Sequence, residues 1–184
     1  MALLTIADLD QFKASPVDPT YPADTRTFYS PIDDVHGALK AVIASAQHSL
    51  IISMFGWDDD ELAEIIAHII DNPAIFVQIT LDKSQAGGVH EKALLTKFKH
   101  EMDSNSVAIG TSEHGAIVHR KMVIIDGVWR IGGSTNWSAS GETLQDNEMT
   151  VHRNAVICAE ARPVLDISHN KALKDMAKRL AVRV

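Results

Sequence analysis

The stretch that most constrains this chain is VHRKMVIIDGVWRIGGSTNWS, Val118 to Ser138. Two apolar runs flank Asp126-Gly127, and Asp-Gly between apolar runs is a strong signal for a two-residue hairpin. The runs read as core strands, yet the first opens with His119 and Lys121 and the second ends in Gly132-Gly133-Ser134-Thr135-Asn136. Side chains alternate along a strand, so His119, Lys121, Val123 and Ile125 share one face. With Asp126-Gly127 as the loop, Ile125 lies opposite Val128, Lys121 opposite Gly132 and His119 opposite Ser134. Asn136 then falls two residues further along the same face, and Asp126 takes the other parity, at the turn. A loop one residue longer would break this pairing.

The expected patch of His119, Lys121, Ser134 and Asn136 has a coherent chemistry. Lysine is a point cation suited to phosphate oxygens. Serine and asparagine add directional donors, and the two glycines leave the patch uncrowded. Histidine serves as nucleophile or general acid near neutral pH. Such a set suits phosphoryl transfer, where positioning and charge stabilisation do most of the work. Taken singly, each residue would fit a solvated strand edge; the set at this spacing does not. Two other His-x-Lys triplets, His90-Glu91-Lys92 and His169-Asn170-Lys171, fall in expected helices, where residues two apart diverge. Both read as surface residues. VHRNAV, Val151 to Val156, echoes the motif, but Asn154 stands where the lysine would be.

Upstream of the hairpin, strand and helix patterns alternate, which argues for a largely parallel sheet with helices on its faces. Strands are expected at TRTFYS, SLIISMFGW, IFVQITLD and SVAIG. A helix is expected over SPIDDVHGALKAVIASAQ, with Ser30 as cap, Pro31 first and Asp33 and Asp34 in its first turn. Others are expected over DDDELAEIIAHIID, stopping before Pro73, and over VHEKALLTKFKHEM. After the hairpin come a strand, DNEMTVH, and a final helix of roughly AEARPVLDISHNKALKDMAKRLA, interrupted or started late by Pro163. Residues 1–25 read as an irregular lead-in and 26–184 as one domain.

The combined motif, H-x-K-x-x-x-x-D (His119, Lys121, Asp126) followed by G-S-x-N (Gly133, Ser134, Asn136), resembles the HKD signature of the phospholipase D superfamily. LDKSQAGG, Leu81 to Gly88, and SLIISMFGW are similar to that superfamily's domain as well. The resemblance implies an α/β phospholipase D-like sandwich with a mixed central β-sheet flanked by helices. It implies a metal-independent phosphodiesterase working without a cofactor. A chain with one motif resembles the small bacterial endonucleases, which pair as homodimers around a shared active site. In that scheme one His119 forms a phosphohistidine and the other protonates the leaving oxygen. Lys121, Ser134 and Asn136 hold the phosphate, and Glu148 supports the histidine ring. Asp126 is assigned to the turn or interface.

A nucleic acid is the expected substrate, and a lipid phosphodiester is the alternative, as for a phospholipase D or phosphatidyl transferase. The net charge of −7 argues against a protein that simply coats nucleic acid, but says little about a small pocket. A single cysteine, Cys158, precludes an internal disulfide. CxxC, Cys/His and H-E-x-x-H patterns are absent, so no structural zinc site is expected. No stretch is apolar enough to span a membrane, and no export signal is visible, so the expected location is cytoplasmic. Trp57 and Trp137, flanking the motif strands, read as core or rim packing, although either would stack on a base. His114 reads equally as a residue lining the cleft or as an ordinary loop histidine, and Asp82 to Gln85 follows a strand end, where pockets of α/β folds gather.

Overall fold

The structure, a computed structural model, describes residues 3–85 and 107–181. Among these residues, seven strands form one mixed sheet. They are β1 (Thr25–Ser30), β2 (Ser49–Met54), β3 (Phe76–Asp82), β4 (Val107–Gly110), β5 (Lys121–Ile125), β6 (Trp129–Gly133) and β7 (Asn147–Arg153). Their order is β1-β7-β6-β5-β2-β3-β4. Only β2–β3 and β3–β4 pair in parallel; the other four pairings are antiparallel. The alternating upstream pattern therefore gives a parallel half, and the returning hairpin and β7 build an antiparallel half beside it. The helix expected over VHEKALLTKFKHEM lies outside the described residues.

Helices α1 (Val35–Ala44) and α2 (Asp60–Ile70) pack on one face of the sheet, where Leu39, Val42, Leu62 and Ile66 are fully buried with Phe28, Ile52 and Ile79. The long C-terminal helix α4 (Ala155–Ala181) covers the other face, where Cys158 and Leu165 meet Ile51 and Ile124. A short α3 (Ala139–Thr143) follows the Gly-Ser-x-Asn segment.

Two expected helix starts move, each for a physical reason. Helix α1 begins at Val35, not at Pro31. Asp34 is its cap, accepting from the Gly37 amide, while the Ser30 hydroxyl donates to the Gly141 and Gln145 carbonyls and so ties β1 to α3. Helix α4 starts at Ala155, because the Asn154 side chain accepts from the Val156 and Ile157 amides. It then runs through Pro163 unbroken, although an interior proline forfeits about 3 kcal/mol; burial of Cys158, Leu165 and Ala172 on this face works against that loss. His169 belongs to the same buried side. It is only 5% exposed, and its Nδ1 meets the Thr80 hydroxyl, so it is not the surface residue that its triplet suggested. The lead-in also contributes: Ala7–Phe12 forms a 3-10 turn that places Leu9 in the main core, with Ile6 beside it.

The hairpin is built on a different register from the expected one. Ile125 pairs with Trp129, Val123 with Ile131 and Met122 with Gly132. Val128 is the additional loop residue. A two-residue loop would turn Trp129 and Ile131 to the opposite face and put Val128 in the core instead. The longer loop buries Trp129 and Ile131 with Val123 and Ile125, leaving Val128 38% exposed. Asp126 and Gly127 both adopt positive φ, 53° and 66°. The Asp126 carboxylate accepts from the backbone amides of Gln47, His48 and Ser49, which lead into β2. One side chain thus ties the β5–β6 turn to the start of the neighbouring strand.

Asp126→Ala leaves these amides without an acceptor and puts a Cβ-only side chain at positive φ. We expect a loss of about 2–3 kcal/mol in urea unfolding. Asp126→Asn, which tolerates that φ and keeps one acceptor oxygen, should lose less than half as much. Equal losses would show that the charge alone matters.

Candidate active site

Lys121 opens β5, opposite Met54 at the carboxyl end of β2. Ligand sites of α/β sheets gather at the carboxyl ends of parallel strands, and β3 ends nearby in Asp82. Lys121 is 8% exposed, and burial lowers its pKa from the ordinary lysine value. Its Nζ donates to the His119 carbonyl at 3.1 Å and lies 2.9 Å from His119 Nε2. An ammonium donating to Nε2 makes that nitrogen the acceptor, with the ring proton on Nδ1. The Phe55 ring supports both groups. It lies 4.7 Å from the His119 ring and 5.1 Å from the Lys121 ammonium, a cation–π distance. His119 itself lies just ahead of β5 and is exposed.

The loop that carries His119 is held by a carboxylate that is itself buried. Asp82 accepts from the Val118 amide and from both the amide and hydroxyl of Ser84. The strand-end segment Asp82 to Gln85 therefore reaches the site through the backbone next to His119. His114 sits in an exposed stretch of the same connection.

A small crevice beneath Lys121 is lined by Gly133, Thr135, Trp137, Glu148 and Met149, among others. The longer hairpin loop carries the ladder on so that Gly133, not Gly132, continues it opposite Lys121. A side chain on Gly133 would overlap the Glu148 carbonyl, and its φ is 152°. The one-residue shift turns Ser134 away from the lysine. Ser134 Oγ instead donates to Asn147 Oδ1 and accepts from the Glu148 amide. Thr135, unnoticed in the sequence, takes the buried place: it is 3% exposed and donates to the Glu148 carbonyl. Only the true loop length would have singled it out.

Asn136 packs its side-chain amide against Gly56, and no donor among the described residues reaches its buried Oδ1. Trp137 donates its backbone N–H to the Gly56 carbonyl and accepts from the Asp58 amide. The two tryptophans cross edge to face with ring centroids 4.9 Å apart, each 2% exposed, so they pack the core and do not face a substrate. Glu148 is exposed; alternation along β7 turns its side chain away from the face of Met149 and Val151, and its carboxylate accepts from Thr150 Oγ1. Among the described residues, no hydrogen bond joins Glu148 to His119. The structure thus brings together Lys121, His119 and Gly133, with the Glu148 backbone beside Gly133 and its side chain on the other face, holds Asn136 on the adjoining loop, and sets Ser134 and Asp126 to structural bonds.

Residues 39–166 match the family described as cardiolipin synthase, PLD-like domain. The match covers well over half of the chain, so the chain belongs to this family, within the phospholipase D superfamily. A curated relative, the mitochondrial cardiolipin hydrolase of Chlamydomonas reinhardtii, is 26% identical over 125 residues, 67% of this chain. The chain spans about half the length of that relative, 52%. Among solved structures, the fold is similar to Nuc from Salmonella typhimurium, a phospholipase D family member, with a TM-score of 0.69 and 17% identity. That likeness covers 80% of this chain and 94% of Nuc. NucT from Helicobacter pylori gives a TM-score of 0.65 at 20% identity, covering 80% of this chain and 96% of NucT. The mixed α/β fold is that of the superfamily.

Gly133→Ala is the substitution most informative about this geometry. It forces β6 away from the Glu148 backbone and should lower both the melting temperature and any turnover. Ser134→Ala should cost about 1 kcal/mol of stability, through its bonds to Asn147 and Glu148, and little more. A large turnover loss with unchanged stability in Ser134→Ala would instead place its hydroxyl on the substrate.

Proposed function

We propose that the chain is a phosphodiesterase that supplies half of an active site, completed by a second copy, and that its substrate is DNA or RNA. The observation that carries this is the Lys121 ammonium 2.9 Å from His119 Nε2 at the rim of a crevice kept open by Gly133. A phosphate oxygen arriving there competes for the ammonium. The lysine turns from Nε2 to the oxygen, and the freed lone pair faces phosphorus.

One histidine cannot finish the reaction. The nucleophile must be unprotonated and the general acid protonated at the same moment, and the crevice offers a single motif histidine. A two-fold axis across this exposed rim supplies the second. His119 Nε2 then attacks phosphorus, the bond to the leaving oxygen breaks, and His119 of the second copy gives that oxygen its proton. Water next attacks the phosphohistidine, loses a proton to the same second histidine, and releases the first nitrogen. Both copies of Lys121 and Asn136 hold the phosphate oxygens, and Glu148 fixes a histidine ring once the copies meet. No metal enters these steps.

A single motif in a compact chain, as in the small endonucleases that the motif resembles, favours the nucleic-acid substrate. The family description and the cardiolipin hydrolase relative favour a lipid phosphodiester as the second reading. In chelator, purified protein should cleave single- or double-stranded nucleic acid, and His119→Ala and Lys121→Met should each lose at least about 1,000-fold. Hydrolysis of cardiolipin vesicles with intact nucleic acid would transfer the assignment to lipid. Undiminished cleavage by His119→Ala would remove the mechanism.

A further inference from the structure

Away from the motif, three side chains from three helices converge. His36 stands near the start of α1, Asp59 caps α2, and Glu142 lies in α3. His36 Nδ1 is 2.6 Å from Glu142 Oε2 and 2.9 Å from Asp59 Oδ2. Glu142 is almost wholly enclosed, its side chain 1% exposed, and Asp59 is 8% exposed. The second Glu142 oxygen, Oε1, is buried and has no hydrogen-bond donor among the described residues. Nδ1 carries at most one proton, yet two carboxylates converge on it and a third oxygen is left over.

We propose that His36, Asp59 and Glu142 form a binding site for a divalent transition cation, zinc being the best match. One imidazole and two carboxylates are a borderline donor set that zinc accepts. A dication meets all three groups at once and removes the repulsion between two buried acids. The outer contacts also fit. His36 Nε2 faces the Glu61 carboxylate at 3.4 Å, and Glu61 is itself paired with Lys40. A carboxylate behind the second ring nitrogen is the usual support for a metal-bound histidine. Zinc bonds of about 2.0–2.2 Å need the donor atoms somewhat further apart than they stand, an opening of under about an ångström. His36, 27% exposed, leaves a path from solvent.

The cation would brace the motif without joining its chemistry. Glu142 belongs to the short helix directly after Asn136-Trp137-Ser138, and the Asp59 amide donates to the Trp137 carbonyl. Binding would clasp the segment carrying Asn136 to α1 and α2. The three residues are 23 and 83 positions apart, which is why no local zinc pattern marks them.

The test uses the full chain stripped with chelator and titrated with zinc chloride. Wild type should take up zinc stoichiometrically per chain and melt at a higher temperature when loaded. His36→Gln and Glu142→Gln should bind at least about tenfold more weakly and lose the melting shift, while His119→Ala keeps both. Circular dichroism in chelator establishes that the variants are folded. Zinc-edge absorption on wild type, which needs no variant, should show oxygen and nitrogen ligands with a single imidazole. No stoichiometric uptake, unaltered binding by the folded Gln variants, or ligation by two or more imidazoles would each overturn the proposal.

Discussion

The burial of Trp129 governs the geometry of the site. A tryptophan is too large to leave on the wrong face of a central strand, and the β5–β6 turn lengthens by one residue to put it inside beside Ile125. That single displacement propagates along β6. It sets Gly133 next to Lys121, turns Ser134 outward to Asn147, and drops Thr135 into the crevice. Burying an indole on the order of 200 Å² outweighs the preference of Asp-Gly for a two-residue loop. Core packing far from the chemistry thereby decides which motif residues meet.

Two carboxylates then convert this register into a fixed frame. Asp126 collects amides at one end of β5, and Asp82 collects the Val118 amide at the other. Both use side-chain carboxyl oxygens to satisfy backbone donors that sheet pairing leaves over. Between these clamps Lys121 is held partly dehydrated against Phe55, with His119 tethered to it. The Asp126 carboxylate is thus mechanical in this fold: it anchors the turn at the far end of the strand that Lys121 opens.

Much of this was legible in the sequence. Thr25–Ser30 was delimited to the residue, and most other described strands and helices to within a few residues, because apolar period and capping chemistry agree there. The motif's resemblance implied the mixed sheet that alternation alone would have made mostly parallel. What remained hidden was non-local. The loop length depended on which residue the core would accept, the Ser30 hydroxyl was claimed by α3, and His169 was drawn inside by Thr80. None of these partners lies near in sequence. The His36–Asp59–Glu142 cluster is the extreme case, assembled from three helix starts that only the packed fold brings together.

The central claim is that one chain carries half of a site. It is tested most directly by mixing wild-type chains with an excess of His119→Ala chains under conditions where subunits exchange, and following cleavage against the wild-type fraction. A site needing a histidine from each copy loses activity as the square of that fraction, since only pairs of wild-type chains turn over. A linear decline, with each wild-type chain working whatever its partner, would contradict the account.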